Sequence, residues 1–170
     1  MLDGRFDYAK QLAHEAFDFA TRVSGPYSRE IYAQLSFSGQ KILIDELCGE
    51  TAPDVVNHFR ELRERYPESV TLRAAPAFFL SRAGRLDDAR QELFALSRNG
   101  FAELPQNVTW LFGICLLAEA VHYVNDRDWA ESLYRLLLPY HDRNVSISVV
   151  ACFGSAHRFL GLLAATCDRW

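Results

Sequence analysis

Two short polar pairs in the sequence have the residue types of a metal site. His14 and Glu15 begin a His-Glu-x-x-His zinc motif, but position 18 holds Asp18 where the second histidine would be needed one helical turn later. Glu119 and His122 match half of a di-iron site, because residues three apart share one helix face. The chain contains no second Glu-x-x-His. We therefore predict no metal ligands, and expect Glu119 and His122 to form a hydrogen bond or an ion pair.

Other motifs that carry enzyme chemistry are missing from the sequence. Ser155 follows Gly154 but does not lie in a Gly-x-Ser-x-Gly nucleophile elbow. No phosphate-binding Gly-x-x-x-x-Gly-Lys loop is present, and the two lysines, Lys10 and Lys41, do not follow such glycines. We predict that the protein is not an enzyme, and that it has no catalytic residue and no cofactor.

Composition and charge limit the classes of binding partner and the cellular compartment that are expected for this protein. With 49% hydrophobic residues in 170, the chain has enough apolar material for a folded core. The net charge of −4 is spread without long basic runs, which disfavours direct binding to nucleic acid or to a membrane. No long apolar stretch or basic leader is present, so we expect a cytoplasmic protein with reduced cysteines. The cysteines stand far apart, at positions 48, 115, 152 and 167.

Apolar residues recur at intervals of three and four, the period of an amphipathic helix. The pattern predicts eight helices and no strand. We expect helices at Phe6–Arg22, Arg29–Cys48, Pro53–Tyr66, Thr71–Ala83, Leu86–Asn99, Asn107–Val124, Asp128–His141 and Ser146–Ala165. Pro76 lies inside one of them, where it is expected to kink the helix or to mark a later start.

A short phrase recurs between these helices. It occurs at residues 4–9, 84–89 and 125–130, and in weaker form at 49–54 and 167–170. Each clear copy has a turn residue, an acid and an alanine, which would end one helix, cap the next and allow the two to pack closely. A spacing of about 40 residues is typical of a two-helix repeat. We predict one all-α domain over residues 1–170, a right-handed superhelix of antiparallel helix hairpins.

The spacing from Ala89 to Leu93 and from Ala130 to Tyr134 follows the tetratricopeptide pattern. Residues 71–90, 101–105 and 110–120 resemble the helical-repeat region of large bacterial LuxR-type ATP-dependent transcription regulators and cyclase-linked signalling ATPases. Residues 136–140, 143–145 and 158–166 resemble it most closely. In such proteins a nucleotide-binding module precedes the repeat arm, and a DNA-binding or cyclase domain often follows it. The resemblance implies the arm alone, as a fragment of a longer repeat array.

The repeat arm suggests a function in binding. We predict a non-catalytic protein-interaction or effector-sensing module, in signal transduction or transcription regulation. The alternative is a small-molecule or metal-binding sensor or enzyme that uses polar groups in the helical groove. A third hypothesis is that the protein is a structural spacer between other modules.

Counting back through the repeat pattern from Ala89, Ala130 and Cys167 places nine residues on the concave side of the first helix in each hairpin. These groove candidates are Phe78, Ser81, Arg82, Phe112, Cys115, Glu119, His122, Tyr123 and His157. Aromatic, imidazole, carboxylate and guanidinium groups together suit a protein or peptide partner, or a small polar effector, better than nucleic acid.

The repeat array is also expected to be cut at both ends. The pattern predicts that the first helix is the second helix of a hairpin whose first helix is absent. It predicts that the last helix is the first helix of a hairpin whose second helix is absent. An uncapped apolar end is expected to bind another surface, so we predict a homodimer through one end. The alternative is that the terminal helix folds back onto its own groove. The residues predicted to form this surface are Leu160, Leu162, Leu163 and Trp170.

Overall fold

The structure, a computed structural model, describes residues 5–23, 36–37, 39–40, 44, 55–147 and 151–169. The chain divides into two compact units. The first comprises Met1–Pro53 and Ser146–Ala151, and the second Asp54–Val145 and Cys152–Trp170. Helices dominate the described residues, in agreement with the predicted all-α class.

The first unit contains helix α1 (Phe6–Val23), which confirms the predicted first helix. Ala13 is buried, and the ring of Phe17 stacks on Phe37 with 4.7 Å between centroids. The predicted helix Arg29–Cys48 lies mostly outside the described residues. Those of its residues that are described, at 36–37, 39–40 and 44, are helical.

The second unit is built from six described α-helices. They are α2 (Val55–Arg65), α3 (Val70–Arg82), α4 (Leu86–Leu96), α5 (Trp110–Val124), α6 (Arg127–Leu137) and α7 (Ala156–Thr166). Short 3₁₀ turns follow α4 at Arg98–Phe101 and α6 at Leu138–Tyr140. The predicted helices from Pro53 to His141 are confirmed, with ends that differ by a few residues. Of the helices in the described ranges, none is both long and apolar enough to cross a lipid bilayer.

Helices of the second unit pack in a regular order. Neighbours in sequence pair as α3 with α4 and α5 with α6, while α2 packs on α3. The first helices of the pairs also lie side by side, α3 against α5 and α5 against α7. Val70 meets Gly113 near the helix starts and Arg82 meets Glu119 further along, so α3 and α5 run in the same direction.

In the second unit, residues of the recurring phrase end and cap helices largely as predicted. Gly84 and Asn125 adopt left-handed backbone conformations, with φ of 74° and 58°, and so end α3 and α5. The Asp126 side chain accepts a hydrogen bond from the Trp129 N–H at 3.0 Å and caps α6. The predicted acidic cap of α4 is wrong, because Arg85 stands at that position and makes no side-chain cap bond. Ala89 is fully buried, as close helix packing requires.

Helix α3 continues through Pro76, so the proline does not delay its start. The helix begins earlier, after Ser69, whose hydroxyl accepts a hydrogen bond from the Leu72 N–H. Pro76 itself is buried. The prediction of a later start is therefore wrong, because the cap at Ser69 sets the helix boundary.

The prediction of a helix over Ser146–Ala165 is wrong for its first half, and the prediction that the chain has no strand is also wrong. Strands β1 (Asn144–Ile147) and β2 (Ala151–Ser155) form a two-stranded sheet, and α7 begins only at Ala156. Valine or isoleucine occupies positions 145, 147, 149 and 150, and β-branched residues favour strands over helices. Gly154 has a φ of 108°, outside helical geometry, and the Ser155 hydroxyl then caps α7.

The predicted dimer surface is largely internal. Leu160 and Leu163 are buried within the second unit, and Leu162 is half-buried. They are covered because α7 packs against both α5 and α6. Trp170 lies outside the described residues. The homodimer stays a prediction that these two buried leucines do not support.

Helix α5 approaches the start of α3 closely at Gly113. A Cβ added there would lie 2.7 Å from Val70 Cγ1, 2.8 Å from the Val70 carbonyl carbon and 2.9 Å from the Thr71 nitrogen. Two hydrogen bonds join the same ends, since Val70 N–H donates to Thr109 Oγ1 at 3.0 Å and Thr71 Oγ1 donates to the Thr109 carbonyl at 2.9 Å. The two helices can approach this closely only because no side chain separates them.

A buried carboxylate joins α4 to α2. Glu92 accepts hydrogen bonds from Arg60 Nε and Nη2, at 2.9 and 2.7 Å, and from Arg63 Nη1 at 2.5 Å. Burial acts to raise the pKa of Glu92, but the hydrogen bonds from Arg63 and Arg60 and their charges outweigh it and hold the pKa below its usual range. The pair of arginines therefore favours the ionised carboxylate.

We predict that Gly113→Ala destabilises the second unit by about 2 kcal/mol, because the new methyl group collides with backbone atoms of α3 that cannot move independently. Gly161→Ala is the matched control, since its Cβ meets nothing within 4 Å and alanine is the better helix former. It should raise the free energy of unfolding by about 0.5 to 1 kcal/mol. Urea unfolding monitored by circular dichroism measures both. Equal effects of the two substitutions would contradict the close approach.

We predict that Glu92→Gln lowers the free energy of unfolding at neutral pH by about 2 kcal/mol, because two charged hydrogen-bond partners lose their carboxylate. A depressed folded pKa stabilises the protein above the ordinary value near 4.5 and loses that stabilisation as the pH falls through the folded pKa. The difference between wild type and variant should therefore vanish in acid. Asp88→Asn, at a more exposed pair with Arg85, is the control and should change little. A Glu92→Gln deficit that persists unchanged at low pH would contradict this assignment.

Candidate functional site

Three helices and one strand of the second unit bring ionic and aromatic side chains together. Contacts connect Arg82 and Phe78 on α3, Phe112 and Glu119 on α5, Phe153 on β2, and Arg158 and Phe159 on α7. We call this set the arginine cluster. It joins the helices that lie side by side in the order α3, α5, α7, and β2 adds one ring from the adjoining hairpin.

Glu119 lies at the centre of the arginine cluster. Its side chain is only 6% exposed, while those of Arg82 and Arg158 are 41% and 50% exposed. Arg158 Nη2 donates to Glu119 Oε2 at 2.9 Å, and Arg82 Nη1 lies 3.8 Å from Oε1. One buried negative charge thus lies between two half-exposed cations.

Aromatic rings flank both guanidinium groups. The Arg82 guanidinium carbon lies 5.4 Å from the centre of the Phe78 ring, and that of Arg158 lies 4.8 Å from Phe159. Phe153 contacts both of these rings, with centroid distances of 6.3 Å to Phe78 and 5.8 Å to Phe159. Its edge-on partner is Phe112, at 4.9 Å. Each arginine is therefore held by its carboxylate on one side and by a ring on the other.

Cys115 lies one helical turn before Glu119 and is fully buried. Burial raises the pKa of the Cys115 thiol to about 12, the charge of Arg158 opposes this rise, and that of Glu119 adds to it. The thiol is therefore protonated at neutral pH, whereas nucleophilic chemistry and metal ligation both need the thiolate.

His122 lies one turn after Glu119 and is oriented by a threonine. Its Nδ1 is 3.0 Å from Thr166 Oγ1. The Thr166 hydroxyl donates its single proton to the Leu162 carbonyl at 2.9 Å, so it accepts from His122. His122 Nδ1 is consequently the donor, and the neutral ring carries its acceptor at Nε2. The sequence predicted a hydrogen bond or an ion pair for these two residues, and in the structure Glu119 pairs with Arg158 while His122 contacts Thr166.

Six of the nine predicted groove residues lie in the arginine cluster or one helical turn from Glu119. These are Phe78, Arg82, Phe112, Cys115, Glu119 and His122. Ser81 is buried and donates its hydroxyl proton to the Phe78 carbonyl within α3. Tyr123 is 46% exposed, beside the His122 ring. His157 lies elsewhere, with its ring 5.5 Å from His141, and the next residue, Arg158, contacts Glu119 instead.

The groove candidates predicted from the sequence did not include Arg158, Phe153 or Phe159, because the last helix was expected to begin at Ser146. A helix from Ser146 would not bring Phe153 to α3, whereas β2 does so. The count from Cys167 gave position 157, and the face that meets α5 is one residue further along. The only signal in the sequence was an arginine within one residue of the predicted position, followed by an aromatic.

The metal motifs weighed from the sequence have other contacts in the structure. The His14 ring packs edge-on against Phe37 at 4.8 Å. Across the described ranges, no three His, Cys, Asp or Glu side chains come together in an arrangement that would hold a metal ion.

Comparison with protein-family models, with curated proteins and with solved structures finds no match. The likeness to the repeat arms of bacterial regulators therefore stays a prediction. Functional inference depends on the arginine cluster.

We predict that Cys115 resists maleimide at about pH 8 in the folded protein, while the exposed Cys152 is modified readily. With a pKa of about 12 against an ordinary 9.0, the thiolate fraction of Cys115 is lower by about a thousandfold, and burial blocks the reagent as well. Peptide mapping by mass spectrometry after a short exposure separates the two sites, and a sample unfolded in urea serves as the control. Equal labelling of Cys115 and Cys152 in the folded state would contradict the burial of the thiol.

Proposed function

We propose that the second unit is a non-catalytic binding module, a protein-interaction or effector-sensing piece, and that its binding face is the arginine cluster. The observation that carries the proposal is the buried Glu119 between two half-exposed arginines. A buried charge is costly to desolvate, and an apolar residue of similar size would often stabilise the fold as well or better. The arrangement is better explained by what it does to Arg82 and Arg158, which it orients while leaving them accessible to a ligand.

The order of helix packing supports a repeat architecture for this module. Paired helices whose first members lie side by side are typical of two-helix repeats, which present those first helices as a binding surface. Ala89 and Ala130, the small residues of the recurring phrase, are both fully buried. We propose a tetratricopeptide-like right-handed superhelix, of the kind that forms the arm of bacterial signalling and transcription-regulatory ATPases and works in the cytoplasm.

The polar groups of the cluster favour binding over catalysis. The Cys115 thiol is protonated at neutral pH, Glu119 accepts a hydrogen bond from Arg158, and His122 donates to Thr166. Glu119 and His122 are thus engaged in contacts between α5 and α7, and the Cys115 thiol is not in the thiolate form that a nucleophile requires. These contacts support a recognition surface over the alternative of a sensor or enzyme that uses the same groove.

The proposal is tested by panning a random dodecapeptide library, displayed on phage, against the full chain. The recovered peptides should bind Phe112→Ala about tenfold more weakly, because this variant removes a half-buried ring of the cluster. Phe94→Ala on α4 is the matched control, since this side chain is 74% exposed and lies outside the cluster. Its affinity should equal that of the wild type by fluorescence anisotropy.

Two results would overturn this function. Peptides that bind both phenylalanine variants equally would place the binding surface elsewhere. Recovery of no peptide, together with a stoichiometric metal or a metabolite that is turned over, would favour the sensor or enzyme instead. Circular dichroism of each variant shows whether the fold is retained.

A further inference from the structure

We propose that His141 and His157 of the second unit bind one Zn²⁺ ion through a ring nitrogen of each, with the other positions on the metal open. The two histidines are not part of the arginine cluster, so this inference goes beyond the proposed function and does not depend on it. The prediction of no metal ligands from the sequence concerned His14 and His122 alone. The inference follows from the separation of the two rings, the proton on His141 and the backbone that holds both residues.

The two imidazole rings are separated by about the distance that a shared zinc ion requires. Their centroids lie 5.5 Å apart, and the angle between the ring planes is 83°. Zinc binds imidazole nitrogens at about 2.0 to 2.1 Å in tetrahedral directions, which places two ring centres about 5.2 Å apart. Ligands at right angles, as in octahedral or square-planar sites, would bring the centres to about 4.5 Å. The observed separation is closer to the tetrahedral value.

A hydrogen bond decides which nitrogen of His141 can bind a metal. Nδ1 lies 3.2 Å from the Leu138 carbonyl oxygen, and a carbonyl only accepts, so Nδ1 carries the proton. The lone pair of the neutral ring is therefore at Nε2. Zinc-binding histidines usually donate their other ring N–H in this way, which orients the ring and makes the ligating nitrogen more basic. Edge-on packing of two rings would explain their separation, but it would not require this tautomer.

The His157 ring is accessible and has a nitrogen to offer. The residue is exposed in the first turn of α7, where its backbone N–H donates to Ser155 Oγ at 3.3 Å. Among the residues that the structure describes, its ring packs on His141 and neither ring nitrogen has a hydrogen bond. The neighbouring cation, Arg158, donates to Glu119 instead. One nitrogen of the neutral His157 ring is thus available to a metal ion.

Backbone hydrogen bonds hold the two histidines near each other. The Ala156 N–H, one residue before His157, donates at 2.9 Å to the carbonyl of Arg143, two residues after His141. The His141 N–H donates to the Leu138 carbonyl at 3.2 Å, so this residue is held through its backbone and its ring. Both ligands are therefore positioned before an ion arrives, which reduces the cost of ordering them.

Two protein ligands leave two positions open on a tetrahedral ion. Within the described ranges, no third His, Cys, Asp or Glu side chain joins the pair, and Asp142 pairs with Arg143 at 3.6 Å. Structural zinc sites are closed by four protein ligands, whereas open sites keep water on the metal. We therefore expect an exchangeable ion with water in the open positions, which the fold does not need for its stability.

The inference is tested by isothermal titration calorimetry of the full chain with Zn²⁺ at about pH 7.5, where an ordinary imidazole is mostly neutral. Every sample carries Cys152→Ser, which removes an exposed thiol that would compete for zinc. We expect one ion per chain. His141→Ala and His157→Ala should each weaken binding by at least about tenfold, because losing a ligand costs no less than losing the group that orients one. His58→Ala is the matched control, since this exposed histidine lies on α2, and its affinity should be unchanged.

Nuclear magnetic resonance of the imidazole nitrogens gives a second measurement. Before zinc is added, the His141 spectrum should show a protonated Nδ1 and an unprotonated Nε2. Zinc should then shift the nitrogen resonances of His141 and His157 and leave those of His58 in place. Both ligands are exposed, so the variants should keep their fold, and circular dichroism checks this.

Three results would overturn the zinc site. Absence of zinc binding would mean that the two rings only pack against each other. Affinity that is unchanged in both variants would place the ion elsewhere, and loss in only one variant would assign it to a single histidine. The proposed function is measured separately, by peptide binding to Phe112→Ala. Zinc that is lost with either histidine says nothing against the binding module, whereas zinc retained in both variants, with no peptide recovered, would favour the sensor or enzyme.

Discussion

Close contact between the backbones of α3 and α5 at Gly113 is the constraint on which the second unit depends. A side chain at this position would push the start of α3 away from α5, and the hydrogen bonds of Thr109 to Val70 and Thr71 would be lost with it. The two helices run in the same direction, and further along them Arg82 of α3 lies 3.8 Å from Glu119 of α5. The close contact at Gly113 and the arginine cluster thus belong to the same pair of helices.

Two buried carboxylates in the second unit are each met by two arginines, yet they serve different ends. Glu92 binds Arg60 and Arg63, which stand one turn apart on a single helix, at 2.5 to 2.9 Å. That arrangement fastens α4 to α2. Glu119 takes its arginines from two helices, one in hydrogen-bond contact and one at 3.8 Å, and both remain half exposed. The looser pair leaves guanidinium donors near solvent, which is the property expected of a binding surface and not of a structural clamp.

The sheet between α6 and α7 interrupts the regular succession of helices at the cluster. It brings Phe153 against Phe78, Phe112 and Phe159, where a continuous helix would have carried that residue elsewhere. Departures from a simple local pattern tend to occur where a fold performs its function, because the pattern alone would not place the required groups. Here the irregular segment and the charged residues meet at the same place, which supports the proposal that this face is a binding surface.

The sequence by itself determined the helices from α2 to α6, the turns at Gly84 and Asn125, and the shared helix face of Glu119 and His122. These features depend on interactions within about one helical turn, so neighbouring residues encode them. Only the tertiary structure decided that Arg158 and not His157 meets Glu119, that Glu92 joins α2, and that residues 144–147 and 151–155 form strands. Arg158 and Glu119 stand 39 residues apart, and a shift of one residue in α7 turns a different side chain toward α5. Such a shift changes nothing in the local periodicity, because packing between helices, and not the pattern along one of them, selects the register.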